Sequence, residues 1–167
     1  MSSLGISSTP AIQYTQQPPK SPCPLKAPGG KYQVNSQKPP VIAKFQPDMA
    51  DKLTAAFTAL NSQGIIPMIT SGFRTPADQA RMVNGASGPN PAGKVSWHEV
   101  GMAVDLNALA PNGGTSPNYG SIVNAMTSQG LTWGGPFKPT ADPNHFQLAP
   151  AATKPSSSAL ANCVGAT

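Results

Sequence analysis

Proline limits where this 167-residue chain can build regular structure. Pro10, Pro18, Pro19, Pro22, Pro24, Pro28, Pro39, Pro40 and Pro47 interrupt the first 47 residues, and each fixes φ and removes a backbone donor. Few large apolar side chains accompany them and no amphipathic period runs through them, so burial there cannot offset the entropy of ordering. Residues 1–47 are therefore expected to be an extended basic arm and residues 48–149 a single folded domain. Residues 150–167, rich in Ala and small polar groups, are expected to be a flexible tail.

Charge follows the same division. The formal net charge is +5, and Lys20, Lys26, Lys31, Lys38 and Lys44 all precede the first acid, Asp48. From Asp48 onward the six acids balance Lys52, Arg74, Arg81, Lys94, Lys138 and Lys154. The arm thus carries the basic character. It could draw the protein to an anionic polymer by screened attraction, or be a solvated tail that serves solubility. No apolar stretch is long enough to span a bilayer, and the N-terminus lacks the basic start and apolar run of a secretory signal, so any export is expected to use another route. Cys23 and Cys163 lie in the two flanking segments. A disulfide tying the tails together and two free thiols are both open readings.

Within the domain, Asp48 is placed to cap a helix in which Met49, Leu53, Phe57 and Leu60 recur at helical spacing, with Gly64 as the stop. Residues 65–70 read as a short strand whose Pro67 suggests an edge position. Thr75 as cap, Pro76 in the first turn and Asp78 reaching back predict a second helix to about Val83. Residues 84–94 are loop by composition. Met102, Val104 and Leu106 then alternate with Ala103 and Asp105, as a strand would. A third helix is predicted from Tyr119 to Gln129, with Ile122, Val123 and Met126 inward. In a last strand from Asn144 to Leu148, Phe146 and Leu148 face the core, with His145 and Gln147 opposite. The fold class implied is α+β, a small antiparallel sheet with helices to one side.

The chain has two histidines, and they fall in Ser96-Trp97-His98, running on to Asp105, and in Asp142-Pro143-Asn144-His145. A single histidine is more often a structural residue than a ligand. Here both stand opposite an apolar strand face, and Asp105 shares their side. Two imidazoles and one carboxylate suit a catalytic zinc, because three protein ligands leave a fourth position for water. Glu99 after His98 suggests the H-E-x-x-H signature, but Met102 takes the place of its second histidine and that motif is absent. By position alone Asp142 reads equally as a turn residue before Pro143 or as a base near the metal.

Ser96-x-His98-x-x-Gly101-x-Ala103-x-Asp105, preceded by Ser71-Gly72-Phe73-Arg74-Thr75 and followed by Trp133-Gly134-Gly135 and Asp142-x-x-His145-Phe146, resembles the zinc D-alanyl-D-alanine carboxypeptidases and L-alanyl-D-glutamate endopeptidases that cleave peptidoglycan. Vancomycin-resistance carboxypeptidases and several phage endolysins belong to that family, and the resemblance covers about residues 48–149. It implies a Hedgehog/DD-peptidase-like zinc peptidase fold, with His98, Asp105 and His145 as Zn²⁺ ligands and Asp142 as general base. Arg74 would stabilise the oxyanion or hold the peptide, where a guanidinium fork suits a developing negative charge. Gln79, Ser96 and Trp133 would lie on the substrate side of the cleft, Ser96 touching substrate or bracing His98.

The expected activity is L-alanyl-D-glutamate endopeptidase, with D-alanyl-D-alanine carboxypeptidase as the alternative and a non-catalytic wall-binding module as the reading of another class. The expected partners are a peptidoglycan stem peptide and, through the lysine arm, an anionic wall polymer. No nucleic acid or membrane span is expected, and the chain is expected to be a monomer that reaches the wall through a holin or a secretion machine.

Overall fold

The structure is a computed structural model that describes residues 23–36, 40–85, 94–107, 118–151 and 153–166. Among these residues five short strands form a sheet: β1 (Gln33–Val34), β2 (Met68–Ser71), β3 (Ala103–Leu106), β4 (Thr132–Trp133) and β5 (His145–Gln147), in the order β1-β2-β3-β5-β4. Four helices accompany it: α1 (Pro47–Ser62), α2 (Pro76–Gly85), α3 (Tyr119–Ser128) and α4 (Ser157–Cys163), with a 3-10 turn at Trp97–Val100. The class is α+β as expected, but the sheet is mixed. The β1–β2 pair is parallel and the remaining pairs are antiparallel.

The expected edge position of the strand after α1 is corrected. β2 lies between β1 and β3, and Pro67 precedes the strand, where only its carbonyl is used, accepting from the Gln33 N–H at 2.9 Å. A proline lacks a donor but keeps its acceptor, so it does not bar pairing on that side.

α1 begins two residues earlier than predicted. Pro47 opens it and Gln46, not Asp48, is the N-cap residue, without a side-chain capping bond. The Gln46 amide instead donates to the Val100 carbonyl at 2.8 Å. Asp48 stays in the first turn, where a carboxylate favours the positive end of the helix dipole. Met49, Leu53, Phe57 and Leu60 are fully buried as their spacing requires. They pack with Ile122, Ala125 and Met126 of α3 and with Ile69, Val104, Leu106 and Phe146 of the sheet to make the main core.

The flanking segments differ most from expectation. Phe45 is fully buried in the main core, Lys26 and Phe45 pair as an antiparallel bridge, and the Asn61 side chain holds both the N–H and the carbonyl of Lys31, at 2.7 and 3.0 Å. At the other end α4 packs on the 3-10 turn, and Cys163 is bonded to Cys23 across a separation of 140 residues. Cys23, Phe73, Val100, Cys163 and Ala166 form a second small core. The extended arm and the loose tail therefore do not describe residues 23–36, 40–46 and 153–166. Their apolar side chains carry no period because each fits a surface that other elements have already formed. Of the lysines in the arm, Lys26 pairs with Asp51; Lys20, Lys38 and the prolines up to Pro22 lie outside the described residues, as do residues 86–93 of the expected loop.

Candidate metal centre and cleft

His98 enters the site from the 3-10 turn. Ser96 caps that turn, its hydroxyl accepting from the His98 N–H at 3.3 Å, while the Glu99 carboxylate accepts from the Ser96 N–H at 2.9 Å. This reciprocal box takes up Glu99. The turn ends at Gly101, whose φ of 68° is left-handed. A Cβ there would also lie 2.6 Å from Leu25 Cδ2 and 3.1 Å from the Gln46 nitrogen, so glycine is required twice over. Asp105 and His145 are directly opposed across β3 and β5; cross-strand partners share a face.

Each imidazole is turned by a second partner. His98 Nδ1 lies 2.7 Å from the Gly72 carbonyl, which can only accept, so Nδ1 carries the proton and Nε2 keeps its lone pair. His145 Nε2 lies 3.0 Å from Gln147 Oε1 and donates in the same way, which leaves Nδ1 as the free acceptor. Those two lone-pair nitrogens are 3.3 Å apart, and Asp105 Oδ1 is 3.2 Å from His98 Nε2 and 3.1 Å from His145 Nδ1. Three acceptors at such distances repel one another unless a cation lies among them. Tetrahedral zinc with ligands at about 2.0–2.1 Å spaces them roughly 3.3 Å apart. The donor set and its spacing therefore fit zinc.

Burial and the mutual charges of the three groups set their ionisation, and a proton competes with a cation for the nitrogens that face Asp105. Burial pushes His98 below its ordinary value, and Asp105 only partly reverses this, so the ring is neutral. Burial also works against ionisation of Asp105, but the two imidazoles, when they carry a proton towards it, bring its carboxyl well below the usual range. His145 is raised: burial lowers it, and the hydrogen bond and charge of Asp105 outweigh that. Asp142 is raised by burial and by the negative Asp105.

The remaining predicted residues surround this triad. Arg74 is spread over three neighbours: NH2 donates to Asp105 Oδ2 at 3.0 Å, Nε to Ser71 Oγ at 2.9 Å and NH1 to Gln79 Oε1 at 3.2 Å. It thus holds the outer oxygen of the carboxylate whose inner oxygen faces the rings. Gln79 is 2 % exposed and steadies Arg74. Trp133 donates its indole N–H to the Pro143 carbonyl at 2.9 Å and so braces the corner that carries Asp142. The Asp142 N–H donates to the Gly134 carbonyl at 2.9 Å, and its own carbonyl accepts from the His145 N–H at 3.1 Å.

A cleft of about 470 Å³ opens onto the triad at Asp105 and Arg74, with Ile42, Arg81, Met82 and Asn144 among its walls. Arg74 lines it; Gln79, Ser96 and Trp133 do not. Ser96 caps the turn that carries His98, one of the two roles expected for it, while Gln79 accepts from Arg74 and Trp133 donates to the Pro143 carbonyl. Sequence reasoning quoted Ser71, Gly72 and Asn144 within its motifs but gave them no role of their own. Ser71 lies opposite Asp105 in the sheet, a placement no local pattern announces. The Gly72 carbonyl reaches His98 because a Cβ there would lie 2.1 Å from the Ile42 carbonyl oxygen; only glycine lets the chains meet. The role of Gln147 could have been found from strand alternation, which puts it on the His145 side.

Residues 90–148 match the profile of a family described as D-alanyl-D-alanine carboxypeptidase. Among solved structures, the L-Ala D-Glu endopeptidase ChiX of Serratia marcescens is 29 % identical over 63 % of this chain and 80 % of its own, at a TM-score of 0.48. The LdcB LD-carboxypeptidase is 17 % identical over 79 % of this chain and 69 % of its own, at 0.56. The vancomycin resistance D,D-pentapeptidase VanY, solved with Zn(II), is 18 % identical over 78 % and 80 %, at 0.51. The last two share this fold.

Proposed function

We propose that this chain belongs to the metallopeptidase family of D-alanyl-D-alanine carboxypeptidases and L-alanyl-D-glutamate endopeptidases, whose profile residues 90–148 match, and that it is a zinc enzyme that hydrolyses the bond between L-alanine and D-glutamate in peptidoglycan stem peptides. The observation that carries the reading is the convergence of His98 Nε2, His145 Nδ1 and Asp105 Oδ1, each oriented by a further hydrogen bond, beside an open cleft. The choice of bond is supported by the Trp133-Gly134-Gly135 and Asp142-to-Gln147 segments, which resemble the endolysin-like branch.

Zinc held by the triad would supply a Lewis acid that lowers the pKa of water to near neutrality. The remaining chemistry belongs to side chains. Asp142, fixed three residues before His145 by the Gly134 carbonyl and the indole-braced Pro143, takes the proton of the attacking water and returns it to the leaving amine. A carboxyl raised above its ordinary value is a better proton acceptor than a solvated one. Arg74 keeps Asp105 turned with one oxygen inward, and its charge at the cleft wall favours negative charge on the substrate oxygen.

Digestion of purified sacculi with zinc-loaded protein, followed by mass analysis, tests this. New N-terminal D-glutamate is expected; release of D-alanine with the L-Ala-D-Glu bond intact would replace the endopeptidase with the carboxypeptidase. Asp142→Asn is expected to retain one zinc per chain and lose hydrolysis by at least about a hundredfold, the scale of a general base. Full activity in that variant removes Asp142 from the role.

A further inference from the structure

Asn144 carries an unmet need that the metal site does not explain. Its side-chain Oδ1 is buried and has no hydrogen-bond partner, and the residue lines the cleft beside Asp105, Thr70 and Asn107. Native folds rarely leave a buried acceptor unpaired. The backbone of Asn144 cannot shift to relieve it: its N–H is committed to the Asp142 carboxylate and its carbonyl accepts from the Leu106 N–H at 3.0 Å. The side chain is thus held between the proposed base and a metal ligand, with an acceptor and no donor to meet it.

We infer that Asn144 is a substrate-positioning residue whose Oδ1 accepts a hydrogen bond from a backbone N–H of the bound peptide. An amide oxygen only accepts, so the carboxylates and carbonyls of a stem peptide are excluded as its partners. The inference rests on the peptidase reading above and names the group by which that site aligns its substrate. Such a contact is absent in the free protein, so its formation favours the complex without stabilising the free fold.

Kinetics on a soluble L-Ala-γ-D-Glu-L-Lys peptide, together with thermal melts and zinc content, test this in wild type and Asn144→Leu. The variant is expected to bind zinc stoichiometrically and melt no lower than wild type, because an unpaired polar atom has been replaced by an apolar one of similar size, while KM rises about tenfold. A lower melting temperature with unchanged KM overturns the inference and makes Asn144 structural. A second measurement needs no substitution at Asn144: among peptides N-methylated at one amide each, one is expected to bind wild type about tenfold more weakly, and equal binding of all of them overturns the inference. Binding constants taken on Asp142→Asn separate the two readings. Loss of hydrolysis with methyl-sensitive binding retained supports both readings; full hydrolysis with methyl-sensitive binding retained removes Asp142 as base and leaves the Asn144 contact standing, and loss of hydrolysis with methyl-insensitive binding overturns the Asn144 contact alone.

Discussion

The main core draws on α1, α3 and the sheet, where apolar side chains recur at short intervals along continuous elements. The second core is assembled from Cys23, Phe73, Val100, Cys163 and Ala166, single residues from distant stretches of chain. Asp105 and His145 stand on β3 and β5, whose Val104, Leu106 and Phe146 belong to the first. His98 stands on a turn whose Val100 belongs to the second. The candidate metal site thus spans the seam between a core that folds by periodic burial and one that a covalent bond holds together. Ligand geometry depends on both.

The comparison can be broken at four points, in order of expected effect. His98→Ala removes the ligand that crosses the seam and is expected to abolish stoichiometric zinc binding, read by competition with a chromogenic chelator. In the wild type, zinc uptake should weaken as pH falls through the raised pKa of His145, since the proton then competes for Nδ1. Retained zinc in the variant would mean that the two strand ligands suffice and that the seam is irrelevant.

Leu53→Ala opens a cavity in the main core and should cost about 2–5 kcal/mol in urea unfolding, with zinc affinity of the folded protein unchanged. Cys163→Ser should cost about 2–4 kcal/mol and, unlike Leu53→Ala, also weaken zinc binding, because α4 packs on the turn that carries His98. Equal zinc affinity in both variants would erase the distinction between the cores. Ser96→Ala, which removes the cap on the His98 turn, should cost about 1 kcal/mol and be detected as a small drop in the urea midpoint.

What could be read from the sequence follows the same line. α1 and α3 were legible because Met49, Leu53, Phe57, Leu60, Ile122 and Met126 repeat at helical spacing, and the shared face of Asp105 and His145 followed from strand alternation. β1 was not, since two residues gain strand geometry only by lying against β2. The start of α1 was misplaced because Gln46 bonds to Val100, 54 residues away, instead of capping its own helix. The expectation for Gln79 and Trp133 concerned the cleft, and the structure adds their bonds to Arg74 and to the Pro143 carbonyl, which residue type alone does not announce.

Local pattern in the sequence was enough to place α1, α2 and α3, though not α4, and to nominate His98, Asp105 and His145, because periodicity and residue chemistry are properties of neighbouring positions. Tertiary structure decided the rest: that Cys23 meets Cys163, that Gly72 and Gln147 choose which nitrogen of each imidazole stays free, and that Asn144, a residue of the cleft wall, has a buried acceptor without a partner. The physical reason is that hydrogen bonds and disulfides act over a few ångströms in space and carry no trace of how far apart their partners lie along the chain.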